Sequence, residues 1–192
     1  MMAMAIPPNV RTHDIGVLAS STLSKSICRD IIELHQNKKN IVVQGKVEDS
    51  GSNVIDYNIR QVMAYIIHED FDWVDKIIIE SAIMANKTYN FNLTGLLERP
   101  QLLQYKAPSN GYDWHLDIGN GDSSTRKISV SIPLNDGYEG GDIAFFSQGQ
   151  VSIKPDIGQV VTFPSFLPHK IMPVTKGERW SLVCWISGEP FR

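Results

Sequence analysis

Cysteine is scarce in this 192-residue chain, which has only Cys28 and Cys184, far apart and outside any CxxC or paired spacing. That excludes the disulfide framework that staples small secreted domains and points to a reducing compartment. Positive charge is not in excess either. Eighteen Lys and Arg against 21 Asp and Glu leave a formal net charge of −3, so no basic field marks a nucleic-acid partner. No uncharged apolar run reaches the ~18 residues that a membrane helix needs. The stretch Met1 to Pro8 also lacks the basic start and apolar centre of a secretion signal. A cytosolic (cytoplasmic) protein without a membrane anchor is the expectation. Repeats, low-complexity tracts and Pro/Gly/Ser-rich linkers are missing as well. With 42% hydrophobic and 20% charged residues, one folded domain over 1–192 is expected.

What is present divides into two textures. Leu23, Ile27, Ile31 and Leu34 recur at helical spacing after a Ser/Thr cluster able to cap, which predicts an amphipathic helix over Leu23 to Gln36. A second helix is expected over about Asp72 to Asn86, where Val74, Ile77, Ile78, Ile83 and Ala85 form a broad apolar face to lie against a sheet. Between them, Lys38 to Ser52 suits a loop or short irregular strand, and Ile59 to Ile67 looks β-rich. After Tyr89 short apolar or alternating runs are separated by Gly, Pro, Asn and Asp. Ile128, Val130, Ile132 and Leu134 alternate with Ser129, Ser131 and Pro133, so one sheet face packs and the other meets water or a cavity. Several such strands suggest a sandwich or jelly roll. The expected class is mainly β with flanking α: a support region over 1–88 and a β core over 89–187.

The chemistry is carried by the run Asp113-Trp114-His115-Leu116-Asp117. Residues two apart on a strand project from one face, so an imidazole and a carboxylate there can grip one cation. Two histidines with one carboxylate leave three positions open on non-haem Fe(II), and His169 is the candidate third ligand. Ten residues later comes Arg179, whose guanidinium fits the distal carboxylate of 2-oxoglutarate in a bidentate grip.

The stretch from Tyr89 to Ile186 resembles the catalytic domain of Fe(II)/2-oxoglutarate dioxygenases of the prolyl 4-hydroxylase and PKHD-type hydroxylase family. The likeness runs through His115-Leu116-Asp117, Tyr138-Glu139-Gly140-Gly141-Asp142-Ile143, Pro164-Ser165-Phe166-Leu167-Pro168-His169 and Pro173-Val174-Thr175-Lys176-Gly177-Glu178-Arg179. It covers about half of the chain and joins ligands, turns and spacing, which is more specific than an isolated HxD. Arg179 stands where prolyl 4-hydroxylases usually have lysine, as in PKHD-type members.

The resemblance implies a double-stranded β-helix that binds Fe(II) through His115, Asp117 and His169. It implies hydroxylation of a C–H bond, with O2 as cosubstrate and decarboxylation of 2-oxoglutarate to succinate, and it admits ascorbate as reductant. Tyr105 falls where family members hydrogen-bond the cosubstrate carboxylate, and Trp185 matches a family tryptophan. Along a strand starting at Arg179, Ser181 and Trp185 share its face and would line the cofactor cavity. Substrates compatible with the sequence include a prolyl residue of a peptide or protein, a free amino acid, another small molecule and a modified nucleobase.

Plainer readings apply elsewhere. His13, His35 and His68 lack complementary partners in sequence and are taken as structural. In His68-Glu69-Asp70 the carboxylates are expected to cap a helix, and Gly140-Gly141 to make a turn entering a strand. Among Trp114, Phe145, Phe146, Phe163 and Trp180 most are expected in the core, with Trp114 the candidate substrate contact. Cys184 alternates away from Arg179 and is read as packing. The competing classes are a cupin-like metal protein and a non-catalytic binding module of the same fold.

Overall fold

The computed structural model describes residues 16–44, 47–49, 52–54, 62–147 and 149–190. In chain order they form β1 (Leu18–Thr22), α1 (Lys25–Glu33), β2 (Ile41–Gln44), β3 (Val47–Asp49), β4 (Ser52–Val54), β5 (Met63–Ile66) and α2 (Asp72–Tyr89). There follow β6 (Leu93–Gly95), β7 (Gln101–Lys106), β8 (Tyr112–His115), β9 (Arg126–Pro133), β10 (Glu139–Gly140) and β11 (Ile143–Phe146). The last are β12 (Gln150–Ile153), β13 (Gln159–Pro164), β14 (His169–Ile171), β15 (Val174–Lys176) and β16 (Glu178–Gly188).

Both predicted helices form, with shifted ends. Ser24 caps α1 by accepting the Ile27 N–H at 3.3 Å, and the helix tightens into a 3-10 turn over Leu34–Gln36. Helix α2 continues to Tyr89 and stops at Asn90, whose left-handed φ of 55° closes the end. The capping at its start differs from expectation. His68 has extended backbone and takes the cap position of the 3-10 turn Glu69–Phe71, its Nδ1 accepting the Asp70 N–H at 3.2 Å. Asp70 is left to pair with Lys39.

Two main antiparallel sheets follow from the alternating texture, beside the two-stranded pairs β10-β15 and β3-β4. The larger runs β1-β13-β9-β16-β7-β5-β2, with β6 also paired to β16; the smaller runs β12-β11-β14-β8. On the central strands β9 and β16 the period of two separates the faces. Ile128, Val130, Ile132, Leu182, Cys184 and Ile186 join Cys28 and Ile31 of α1 and Val74, Ile78 and Ala82 of α2 in one buried cluster. Each fully buried Ile or Leu there contributes about 1.5–3 kcal/mol, which presses the helices onto the back of the sheet. The opposite face carries Ser129, Ser131, Arg179, Ser181, Val183 and Trp185, and these line a cavity shared with the small sheet. Strands β1, β2 and β5 precede residue 89, so this region supplies strands to the large sheet as well as helices behind it. Among the described residues no helix is long and apolar enough to cross a membrane.

Candidate metal centre

His115 ends β8 and His169 opens β14, and the two are direct partners across the small sheet. One pair further the register slips, with Ile171 opposite Tyr112. This bulge lets Tyr112 face the cavity together with His115, their rings stacked at 3.6 Å between centroids. Asp117 lies beyond the strand, so pleating does not orient it. Instead its N–H and that of Ile118 both donate to the Ser165 carbonyl, at 3.0 and 3.2 Å.

The donor atoms of His115, Asp117 and His169 lie within 4.8 Å of one another, and among the described residues no other group of three or more His, Cys, Asp or Glu converges in this way. Asp117 Oδ1 is 3.6 Å from His115 Nε2, and Oδ2 is 3.4 Å from His169 Nε2. Both rings set Nδ1 against a main-chain carbonyl, Asp113 O at 2.7 Å and Leu167 O at 2.9 Å. A carbonyl only accepts, so each Nδ1 carries a proton, and Nε2 is the ring atom turned toward Asp117.

Burial pushes His169 down to about 4, helped by the charge of His115 and opposed by that of Asp117. Burial alone would raise the Asp117 carboxyl. The charge that His169 and His115 carry when protonated in acid, together with the hydrogen bonds of His115 and the Ser129 hydroxyl, outweighs it and holds the group well below the usual carboxylate range. An ionised carboxylate therefore faces a neutral His169 in a site only 10% and 6% exposed at those side chains. That is the protonation state in which such groups bind a metal ion, and the donor set fits Fe(II).

Arg179 lies across the cavity wall in register with Tyr105 of β7. It is 3% exposed, its Nη1 donates to Ser181 Oγ at 2.8 Å, and its guanidinium sits 5.6 Å from the Tyr105 ring centre. Nε is buried without a hydrogen-bond partner, and among the described residues no carboxylate pairs with this cation. A buried charge in that condition calls for an anion. Tyr105, Ser181 and Trp185, singled out in the sequence, line this cavity with Arg179 and the three metal-ligand candidates.

Trp114 lies elsewhere. It is not among the cavity-lining residues; it is 38% exposed, packs edge-on to Phe146 and carries the Lys170 ammonium 4.9 Å from its ring centre. The sequence reading did not single out Ser129 for the site. Its Oγ donates to Asp117 Oδ2 at 2.6 Å and is 3.0 Å from Ser165 Oγ, and the alternation of β9 was the signal that it faces inward. Tyr112 gave no such signal, because the bulge breaks the period. Cys184 is buried in the core behind the sheet, with its thiol pushed up to about 12 chiefly by burial. His35 bonds the Ile32 carbonyl; His13 lies outside the described residues.

Residues 100–187 match the family model of the 2OG-Fe(II) oxygenase superfamily. A PKHD-type hydroxylase of Synechococcus sp. (strain CC9902) is 33% identical over 88 residues, 44% of this chain and 40% of its own. A Pseudomonas putida prolyl-4-hydroxylase has the same fold, with a TM-score of 0.72 at 21% identity over 92% of this chain and 94% of that one. A Trichoplax adhaerens prolyl hydroxylase, solved in complex with a peptide fragment of a hypoxia inducible factor, gives a TM-score of 0.72 at 20% identity over 91% and 84%. The matched region is thus similar to the 2OG-Fe(II) oxygenase superfamily, and the chain has the mainly β, double-stranded β-helix fold of the prolyl hydroxylase structures. The chain spans less than half the length of its PKHD-type relative from Synechococcus.

Proposed function

We propose that this chain is an Fe(II)- and 2-oxoglutarate-dependent dioxygenase that hydroxylates a prolyl residue of a peptide or protein. The observation that carries the reading is one cavity lined at one end by a metal-ligand set and at the other by a buried cation. At one end a carboxylate and two Nε2 atoms converge; at the other lies the buried Arg179, with which no carboxylate pairs among the described residues. 2-Oxoglutarate, a keto acid with a carboxylate at each end, has the chemistry to join an iron ion to a guanidinium.

His115, Asp117 and His169 would hold the iron, which with bound 2-oxoglutarate supplies O2 activation for hydroxylation of a C–H bond, 2-oxoglutarate being decarboxylated to succinate. Arg179 would grip the distal carboxylate, with Ser181 keeping one guanidinium nitrogen in place. Tyr105 and Trp185 would bound the cosubstrate side and exclude water. None of these side chains needs to move a proton; their work is positioning, charge and dryness. The peptide substrate is supported by the Trichoplax relative's peptide complex and by the PKHD-type and prolyl hydroxylase relatives.

The grip depends on space beside Arg179. A Cβ at Gly141 would lie 2.7 Å from Arg179 Cδ, on a backbone with φ of +70°. Gly141→Ala is therefore expected to raise the 2-oxoglutarate KM about tenfold or more, while the affinity for Fe(II) stays at the wild-type value. An unchanged KM in the folded variant would show that Arg179 does not need this space.

The reading is tested by succinate release from the Fe(II)-loaded protein against proline-containing peptides, free amino acids and nucleosides. Peptides that stimulate release, with hydroxyproline in the product, are the expected result. Stimulation by amino acids or nucleosides alone would move the substrate class, and no Fe(II)-dependent turnover with any of them would refute the activity.

A further inference from the structure

Arg126, the first residue of β9, makes an unusual set of contacts for a side chain near the surface. Its Nη1 donates to the main-chain carbonyl of Asp117 at 2.9 Å. Nε donates to Glu98 Oε1 at 2.5 Å, and Nη2 pairs with the other oxygen of the same carboxylate. The guanidinium carbon stands 3.9 Å over the ring of Trp185. One planar cation thus touches the backbone of a metal-ligand candidate and the face of a cavity-lining tryptophan, braced by a bidentate carboxylate.

We infer that Arg126, with Glu98 as its brace, is a positioning residue that sets the Asp117 carboxylate toward His115 and His169 and holds Trp185 against the cavity wall. This rests on the proposed metal centre. Because Asp117 lies past the end of β8, its orientation depends on its flanking peptide groups. Ser165 takes the N–H groups of residues 117 and 118, and Arg126 takes the carbonyl of 117, so the main chain is pinned from two sides.

The contact differs from an ordinary surface ion pair, whose worth is small. The Arg126 and Glu98 side chains are 16% and 26% exposed, the pairing is two-pronged, and the guanidinium also stacks. Lysine cannot substitute in this arrangement, since an ammonium offers neither a planar fork nor a stacking face. Groups behind metal ligands typically change metal affinity by about 10- to 100-fold when altered.

The test is a Co(II) titration of wild type, Arg126→Lys and Glu98→Gln, following the visible absorption of bound Co(II), with circular dichroism to establish folding. For folded Arg126→Lys the expected result is a Co(II) affinity weaker by about 10- to 100-fold and a shifted absorption band at saturation, because Asp117 meets the metal at a different angle. A purely structural arginine would lower the melting temperature and leave both readouts at wild-type values, which overturns the proposal. Should Arg126→Lys fail to fold, Glu98→Gln decides: a weaker site with a shifted band supports the clamp, and wild-type behaviour overturns it. A wild-type protein that binds no Co(II) refutes the metal centre, and the clamp with it, whereas normal wild-type binding beside unaffected variants refutes the clamp alone.

Discussion

Arg179→Ala is expected to raise the 2-oxoglutarate concentration for half-maximal turnover at least a hundredfold while the protein still binds Fe(II). The expectation follows from where the charge sits. Arg179 is buried against Ser181 and Tyr105 on the wall of the cavity, and no carboxylate among the described residues answers it. Each hydrogen bond to a charged group is worth about 1.5–3 kcal/mol, and a two-pronged grip has two of them. Losing about 3 kcal/mol corresponds to roughly two orders of magnitude in affinity. The metal-ligand candidates belong to other strands and loops, so iron binding should survive. Titrating 2-oxoglutarate into the metal-loaded variant checks both halves. An unchanged 2-oxoglutarate affinity would refute the role given to Arg179.

His115→Ala is expected to remove turnover altogether, including the decarboxylation of 2-oxoglutarate that proceeds without substrate. His115 supplies one of the three candidate protein donors that converge among the described residues, and its Nδ1–H bond to Asp113 O fixes the ring so that Nε2 points at Asp117. Truncating it deletes a ligand outright, so metal affinity should fall by more than the ~10- to 100-fold typical of groups lying behind ligands. His169→Ala should behave alike, since its ring is held in the same way by Leu167 O. Succinate release and Fe(II) binding by the folded variants are the checks. A His115→Ala protein that retained full uncoupled decarboxylation would sink the assignment.

Much of this site was legible in the sequence as residue types at set spacings, although the strand pleat expected to aim His115 and Asp117 alike does not reach Asp117, which lies past β8 and is held by the Ser165 carbonyl. His115 and Asp117 two apart, His169, and Arg179 ten residues beyond it are brought to one cavity, and the Ser-rich face of β9 lines it as its alternation implied. The period of two also placed Ser181 and Trp185 beside Arg179 and Cys184 behind the sheet. What stayed hidden depends on irregularity or on long-range contacts. The bulge opposite His169 to Ile171 turns Tyr112 inward, and no propensity marks where a strand gains a residue. The joining of Arg126 to Glu98 and Asp117 needs the loop before β7 and the loop after β8 to meet, which no spacing in the chain announces. Trp114 lies outside the cavity for the complementary reason: an aromatic next to a ligand on a strand falls on the other face. At His68 the carboxylates were the expected caps, but a histidine ring nitrogen can accept the same N–H and did so.

The most direct test of the central claim is an anaerobic titration of the Fe(II)-loaded wild-type protein with 2-oxoglutarate, watching for the visible charge-transfer absorption of a keto acid chelated to Fe(II). The account predicts that the band appears and saturates in wild type. It should be lost in His115→Ala and need far more 2-oxoglutarate in Arg179→Ala. A wild-type protein that binds Fe(II) but never develops the band, and releases no succinate when oxygen is admitted, would contradict it.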